Sequence, residues 1–308
     1  DTFRNGIFSI IQAMRMLVDI PQSWVFWCEK KGAAYQYFGE PLNAGEIFIE
    51  NIYPFYKSLI FISATLTVGN SFSFFEERCA IENHETIILE TEFNYRSNAM
   101  VYIPPMPSPT DKSFLDKALY EIDRLITVTA GKTLILFNSY DMLREVCDKT
   151  KTEHEVISQL DYSAYEAVTL FKQTKDAVLM GTHSFWQGID IAGEALSNLI
   201  IIRLPFAPPD RPDIAALCES YEDTMEAFVR IQLPLAVLKF RQGFGRLIRS
   251  TTDTGIITVL DNRIVTKRYG KLFLESVPPV SLSSQFETVE KFYKARKGIA
   301  DGCEDREN

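Results

Sequence analysis

Five short runs of almost unbroken apolar residues constrain this chain more than anything else in it: Leu59–Ile62, Thr133–Phe137, Ala177–Met180, Leu199–Ile202 and Ile256–Leu260. They are rich in Ile, Val and Leu and do not alternate with polar residues. A strand with one wet face alternates, whereas a strand buried on both faces does not. These runs therefore read as strands of a parallel sheet covered by helices. The segments between them carry helical spacing, as in Leu115, Leu119, Ile122 and Ile126, in Met142, Leu143 and Val146, and in Tyr165, Val168, Leu170 and Phe171. Strand and helix alternate from about residue 113 to 277, which predicts an α/β doubly wound parallel sheet with helices on both faces. At 308 residues the chain has room for about two domains.

The first 66 residues read differently. A helix is expected over 4–18, then strand-like segments Trp24–Cys28 and Ala34–Phe38 with Lys31-Gly32 as the turn, then a helix over 45–56 ending near Pro54. Residues 102–110 hold four prolines and read as an extended connector. Residues 287–308 carry mixed charge and read as a short helix and a tail.

Hydrophobic residues make up 46% and charged residues 24%, an ordinary globular balance that excludes a disordered or fibrous chain. No run approaches the ~18 apolar residues of a membrane span. The net charge of −9 argues against a nucleic-acid coat or a binder of anionic membranes, but allows a local basic face. One exists: Lys239 to Lys271 carries eight basic residues against Asp253 and Asp261, a net +6, and a solvated helical face is the alternative account of it. Five cysteines at wide spacing, with no CxxC, signal neither a zinc site nor a disulfide framework, and reduced thiols in cytoplasm are the simplest reading. The three histidines are scattered, so no metal site is expected.

Four constellations carry the chemistry. In QGFGRLIRS, Gln242 to Ser250, the spacing places Gln242, Arg246 and Arg249 on one helix face, and Gly243 and Gly245 leave room for close approach. Two arginines and a glutamine converging there suit a polyanion such as nucleotide phosphates, though arginines also favour a helix C-terminus for its dipole. DAVLMGTHSFWQGID, Asp176 to Asp190, is a buried strand followed by a loop, where α/β sheets place ligands. Trp186 is either a base-stacking platform or, with Phe185, part of the core. KSLIFISATLT, Lys57 to Thr67, runs a strand into Ser63-Ala64-Thr65, and KTLILFNSYDML, Lys132 to Leu143, runs one into Ser139, which also reads as a helix N-cap.

In order and wording these four pieces resemble the superfamily 2 DNA helicases of the DinG/XPD type. SATL is similar to motif III, LILFNSYDML to motif IV, FWQGIDIAGEAL with LPFAPPDRP to motif V, and QGFGRLIRS with LDNRIVTKRYG to motif VI and its DxR extension. The resemblance implies a RecA-like fold. It implies a remnant of the first motor domain over 1–66, packed or poorly anchored without its own sheet, a second RecA-like domain over 67–280, and a C-terminal helix and tail over 281–308. It further implies arginine fingers at Arg246 and Arg249, nucleotide contacts at Gln242, Gly245, Gly188 and Asp190, strand contacts at Ser139, Thr182 and Trp186, and coupling through Ser63, Ala64 and Thr65. The implied ligands are ATP, Mg²⁺ and single-stranded DNA, and the implied partner is the first motor domain of the same full-length chain.

No phosphate loop, DEAH-type box or four-cysteine cluster occurs in the sequence. Gly131-Lys132-Thr133 fails as a phosphate loop, because Ile126 stands where a glycine is required. The chain is therefore expected to be the C-terminal part of such an enzyme, inactive alone, without an iron–sulfur cluster and with the nucleotide and Mg²⁺ held mainly by the other motor domain. Gln187 replaces the family's usual Glu, which keeps a rival in view: a non-unwinding single-stranded-DNA-binding or scaffold module, in some relatives joined to a 3′–5′ exonuclease.

Overall fold

The computed structural model describes residues 14–304 apart from 16–17, 20, 22, 188–190 and 192–195. Most of the helix expected over 4–18 lies outside the described residues, as do Gly188 and Asp190. The chain divides into two compact units. One comprises 1–67, 71–86 and 207–234, the other 68–70, 87–206 and 235–308.

In the first unit, β1 (Trp24–Lys31) and β2 (Ala34–Pro41) form an antiparallel hairpin, both strands running longer than the sequence suggested. The turn is Gly32-Ala33, with Gly32 at φ +61°, a conformation glycine adopts without strain. Cross-strand pairing stacks Trp27 on Phe38 at 5.1 Å and lays the Phe26 ring over Gly39, which would have no space for a Cβ. The helix expected over 45–56 stops at Asn51, capped at its start by Asn43, and a 3₁₀ turn at Tyr53–Phe55 absorbs Pro54.

The expected strand at Leu59–Ile62 does not form: the segment has no ladder partner among the described residues. Ile60 and Ile62 are 85% and 89% exposed. A lone strand has nowhere to satisfy its backbone groups except water, so the run forms no ladder; only Phe61 finds apolar company, against Phe48 and Phe75.

The second unit is a seven-stranded sheet in the order β5-β6-β4-β7-β8-β3-β9, every pairing parallel. Its strands are β3 (Ala99–Tyr102), β4 (Thr133–Leu136), β5 (Val156–Ser158), β6 (Val178–Gly181), β7 (Asn198–Ile201), β8 (Gly255–Val259) and β9 (Ser281–Ser283). The other four apolar runs became β4, β6, β7 and β8, all wholly buried. β3 was not singled out, only its last residue, Tyr102, falling in the expected connector, while β5 and β9 are three residues each and too short to signal themselves.

Period-two alternation divides the buried side chains between the sheet's two faces. Ile135, Phe137, Val178, Met180 and Ile200 pack with residues of the Phe114–Thr129, Tyr140–Lys149 and Phe286–Glu304 helices. Leu136, one residue out of that phase, meets the Leu233–Phe244 helix at Gly243, where its Cδ1 would lie 3.2 Å from an added Cβ. Helices thus cover both faces, as the apolar runs required, and the architecture is an α/β RecA-like fold.

Gly131-Lys132 sits in the turn that enters β4, with Gly131 at φ +77° against the Asp176 carbonyl. A phosphate loop leaves the carboxyl end of a strand, so this glycine has a packing role.

Candidate functional site

Parallel sheets collect their loops at the carboxyl ends of the strands, and motifs IV and V emerge there side by side because β4 pairs with β6. β4 gives way to Asn138 and Ser139. Ser139 caps the Tyr140–Lys149 helix by accepting from Met142 N, and it is exposed. Asn138 Nδ2 donates to Leu204 O at 2.7 Å, tying the motif IV loop to the segment after β7.

β6 ends at Gly181, over which the Phe185 ring folds so closely that a Cβ would meet it at 2.2 Å. That contact rolls residues His183–Trp186 into one helical turn. Thr182 is buried, and its N–H and hydroxyl both donate to Gln159 Oε1, at 2.7 and 2.9 Å. It has no face to offer a strand, so the expected direct contact at Thr182 does not fit, and its polar groups are spent on Gln159 instead.

Trp186 is corrected outright. Its ring is fully buried, its Nε1 donates to Phe137 O at 3.1 Å, and its edge lies where a Cβ on Gly243 would be, 2.7 Å from Cε3. A base cannot stack on a ring that the core already covers on both sides. The room left by Gly243 is filled from within by this indole, whereas Gly245 is exposed and clears its neighbours by 3.5 Å.

Motif VI departs from the expected single helix face. The helix ends at Phe244, and Gly245, Arg246 and Leu247 form a turn, so Gln242 is helical while Arg246 and Arg249 are not. The turn carries Arg246 back toward motif V, where its Nε and Nη2 donate to Trp186 O at 3.3 and 3.1 Å. Its guanidinium is half-buried, and desolvation pulls its pKa below the usual arginine value. Burial does the same to Arg241. Both cations have thus given up part of their water on folding. Arg249 is fixed through its backbone: Asp253 Oδ2 accepts from both Arg249 N and Ser250 N.

Gln187 Nε2 donates to Gln242 Oε1, so the residue that replaces the family's Glu pairs with the expected nucleotide-sensing glutamine. Beside it, Lys239 Nζ meets His183 Nδ1 at 2.6 Å and lies 5.5 Å from the Trp186 ring centroid.

The DxR extension is a lock. Asp261, fully buried, accepts from Leu204 N at 2.9 Å and from Arg263 Nη2 at 2.6 Å, while Arg263 rests on the Phe206 ring. The Asp261 hydrogen bonds lift the Arg263 pKa above its ordinary value against the pull of burial.

In the first unit, Ser63 and Thr65 close a small turn, with Thr65 N donating to Ser63 Oγ at 3.1 Å, and Ser63 and Ala64 are exposed. Tyr140, Gln159 and Ser184 were not singled out from the sequence. Tyr140 and Ser184 sit next to or within motifs that were quoted, but Gln159 follows a three-residue strand and only the β5–β6 pairing brings it to this surface.

A helicase C-terminal domain model matches residues 122–280, just over half of the chain. The chain belongs to the helicase C-terminal domain family. Among its relatives, the 3′–5′ exonuclease DinG of Bacillus subtilis is 36% identical over 87% of this chain and 31% of its own length. The ATP-dependent DNA helicase YoaA of Haemophilus influenzae is 32% identical over 92% of this chain and 45% of its own. The chain thus spans a third to just under half of these relatives, and their kind bears out the DinG-type resemblance carried by the motifs. The fold of this helicase C-terminal domain is similar to a solved XPD helicase structure, with a TM-score of 0.54 at 18% identity over 68% of this chain and 40% of that one. Among the described residues no cluster of His, Cys, Asp and Glu could hold a metal ion, and no helix is long and apolar enough to cross a membrane.

Proposed function

We propose that this chain is the second motor domain, with a remnant of the first, of a DinG-like ATP-dependent enzyme acting on single-stranded DNA. The observation that carries the reading is Arg246. It is a half-buried, partly desolvated guanidinium anchored by the motif V carbonyl of Trp186. Arg246 and Arg249 serve as arginine fingers on the γ-phosphate of ATP. Gln242 and Gly245 contact the nucleotide, a role the motif resemblance also gives to Gly188 and Asp190. Ser63, Ala64 and Thr65 couple nucleotide state to the strand, and Ser139 lies on the strand-facing surface. Mg²⁺ and the phosphate cradle belong to the first motor domain of the same full-length chain. The cytoplasm is the compartment that fits reduced cysteines and DNA.

Charge that builds on the γ-phosphoryl oxygens is what such arginines neutralise, and fingers of this kind contribute about 10³–10⁵ in kcat. In the full-length protein, Arg246→Ala is expected to lower ATP turnover by that order while leaving folding and DNA affinity nearly intact. Arg246→Lys should rescue little, lacking the planar fork. Unchanged steady-state ATPase in both the Arg246 and Arg249 variants overturns the motor assignment.

One observation favours a second reading. The neutral Gln187–Gln242 pair removes the carboxylate that the family usually places here, and the Bacillus subtilis relative bears the name of an exonuclease. In that reading the domain clamps single-stranded DNA, or supports a nuclease, without unwinding it.

A further inference from the structure

Gln159 has all of its side-chain hydrogen-bonding capacity engaged within one small surface. Its Oε1 accepts from Thr182 N at 2.7 Å and from Thr182 Oγ1 at 2.9 Å. Its Nε2 lies 2.8 Å from Ser184 Oγ and 3.2 Å from Tyr140 Oη. The orientation of this carboxamide is fixed by chemistry, because a backbone N–H can only donate and the atom facing Thr182 N must be the oxygen. The NH₂ group therefore faces Tyr140 and Ser184, and it too can only donate. Both hydroxyl oxygens are acceptors toward Gln159, so each hydroxyl proton is left to donate elsewhere. Both side chains are exposed, Tyr140 by 49%, and no more than 6.0 Å separates the two oxygens, the sum of their distances to the shared nitrogen.

We propose that Gln159 is a positioning residue that holds the Tyr140 and Ser184 hydroxyls as a pair of neutral, outward-directed donors for the phosphodiester oxygens of a single strand. The proposal rests on the DNA-facing reading of the motif IV and V surface. Phosphodiester oxygens only accept, so a surface polarised to donate selects them over groups that also donate. It also gives Thr182 its part: buried and unable to touch the strand, it sets the sense of the carboxamide that in turn sets both hydroxyls. Because these donors carry no charge, they release no counterions, and their loss should leave the salt dependence of binding as it is.

The test is anisotropy of a labelled oligo(dT) with the 308-residue chain, over a series of salt concentrations, with melting followed alongside. Gln159→Glu keeps the shape and both bonds from Thr182 but cannot donate. The Tyr140 and Ser184 protons then turn inward and the surface presents acceptors to the phosphates. Gln159→Glu is expected to bind about tenfold more weakly, the order of one or two lost hydrogen bonds, with melting nearly unchanged. The loss should almost vanish in a Tyr140→Phe/Ser184→Ala background, where there are no hydroxyl protons to reorient. A Gln159→Glu penalty of equal size in that background would mean that the new charge acts directly on DNA, and it overturns the proposal. Should Gln159→Glu melt early, Tyr140→Phe and Ser184→Ala carry the test, since each alters only an exposed hydroxyl. Each is expected to lose several-fold in affinity at an unchanged salt slope, and unaltered affinity in both overturns the proposal. Binding by the parent with no response to any variant removes this proposal alone. Absence of oligo(dT) binding by the parent removes the DNA-facing reading together with it.

Discussion

Removing the Trp186 ring separates a core role from a DNA role in one experiment. The side chain is fully buried and among the largest that are, so Trp186→Ala deletes an entire packed indole and its bond to Phe137 O. Aromatic-to-alanine changes in cores cost about 3–5 kcal/mol, which for a domain of this size lowers Tm by roughly 6–20 °C. Trp186→Phe keeps most of the volume but leaves the Phe137 carbonyl without its indole donor, an expected loss of about 1–3 kcal/mol.

Gly243 supplies the internal control. A Cβ there would stand 2.7 and 2.8 Å from two ring carbons of Trp186. Gly243→Ala should therefore cost about 1–3 kcal/mol by overpacking in the parent. In the Trp186→Ala background the two closest contacts are gone, and only the Leu136 Cδ1, at 3.2 Å, has to yield by a few tenths of an ångström. The same change should then be near neutral or stabilising by up to about 1 kcal/mol, because alanine is the better helix former. That reversal of sign is a coupling expected of side chains that share one space, and not of distant, independent sites. Calorimetric or dichroism melts of the four proteins measure it, with oligo(dT) affinity read in parallel. If Trp186→Ala melts like the parent yet binds DNA more weakly, the burial argument is wrong and the ring does meet a base. If the two substitutions are strictly additive, the close approach of Gly243 to the indole is not what limits that position.

Asp261→Ala should destabilise by about 3–5 kcal/mol, because Arg263 and the Leu204 N–H lose a fully buried acceptor; urea melts read this directly. Burial alone would push the Asp213 carboxyl up, but the Arg211 fork outweighs it and leaves its pKa lowered. A depressed folded-state pKa supplies stability above the unfolded value near 3.9 and loses it as pH falls through the folded one. Comparison of Asp213→Asn with the parent should therefore show a gap in Tm near neutral pH that closes on acidification below about 4, and a constant gap refutes the pairing.

Four of the five apolar runs marked the central strands β6, β4, β7 and β8 by themselves. A strand buried on both faces must be apolar throughout, and that composition reads the same whatever its neighbours are. Leu59–Ile62 shows where this ends, since the same kind of run forms no strand when no ladder partner is present, and its isoleucines stay in water. Pairing is a property of two segments, and a sequence window holds one.

The motif residues were legible as candidates, since two arginines, a glutamine and small hydroxyl residues at strand ends are the donors a polyanion would need. Their geometry was not. Helical spacing put Gln242, Arg246 and Arg249 on one face, but the helix stops at Phe244, and a turn swings Arg246 onto the Trp186 carbonyl. Whether Phe185-Trp186 was core or platform depended on what lay over the ring, and the answer came from Gly181 and Gly243, far apart in sequence, which leave space for the two aromatic rings. Gln159 carried no local signal at all. It acquires its four side-chain hydrogen bonds to three residues because β5 pairs with β6 and delivers it beside Thr182, and hydrogen-bond complementarity among Thr182, Ser184, Tyr140 and Gln159 exists only once that sheet has closed.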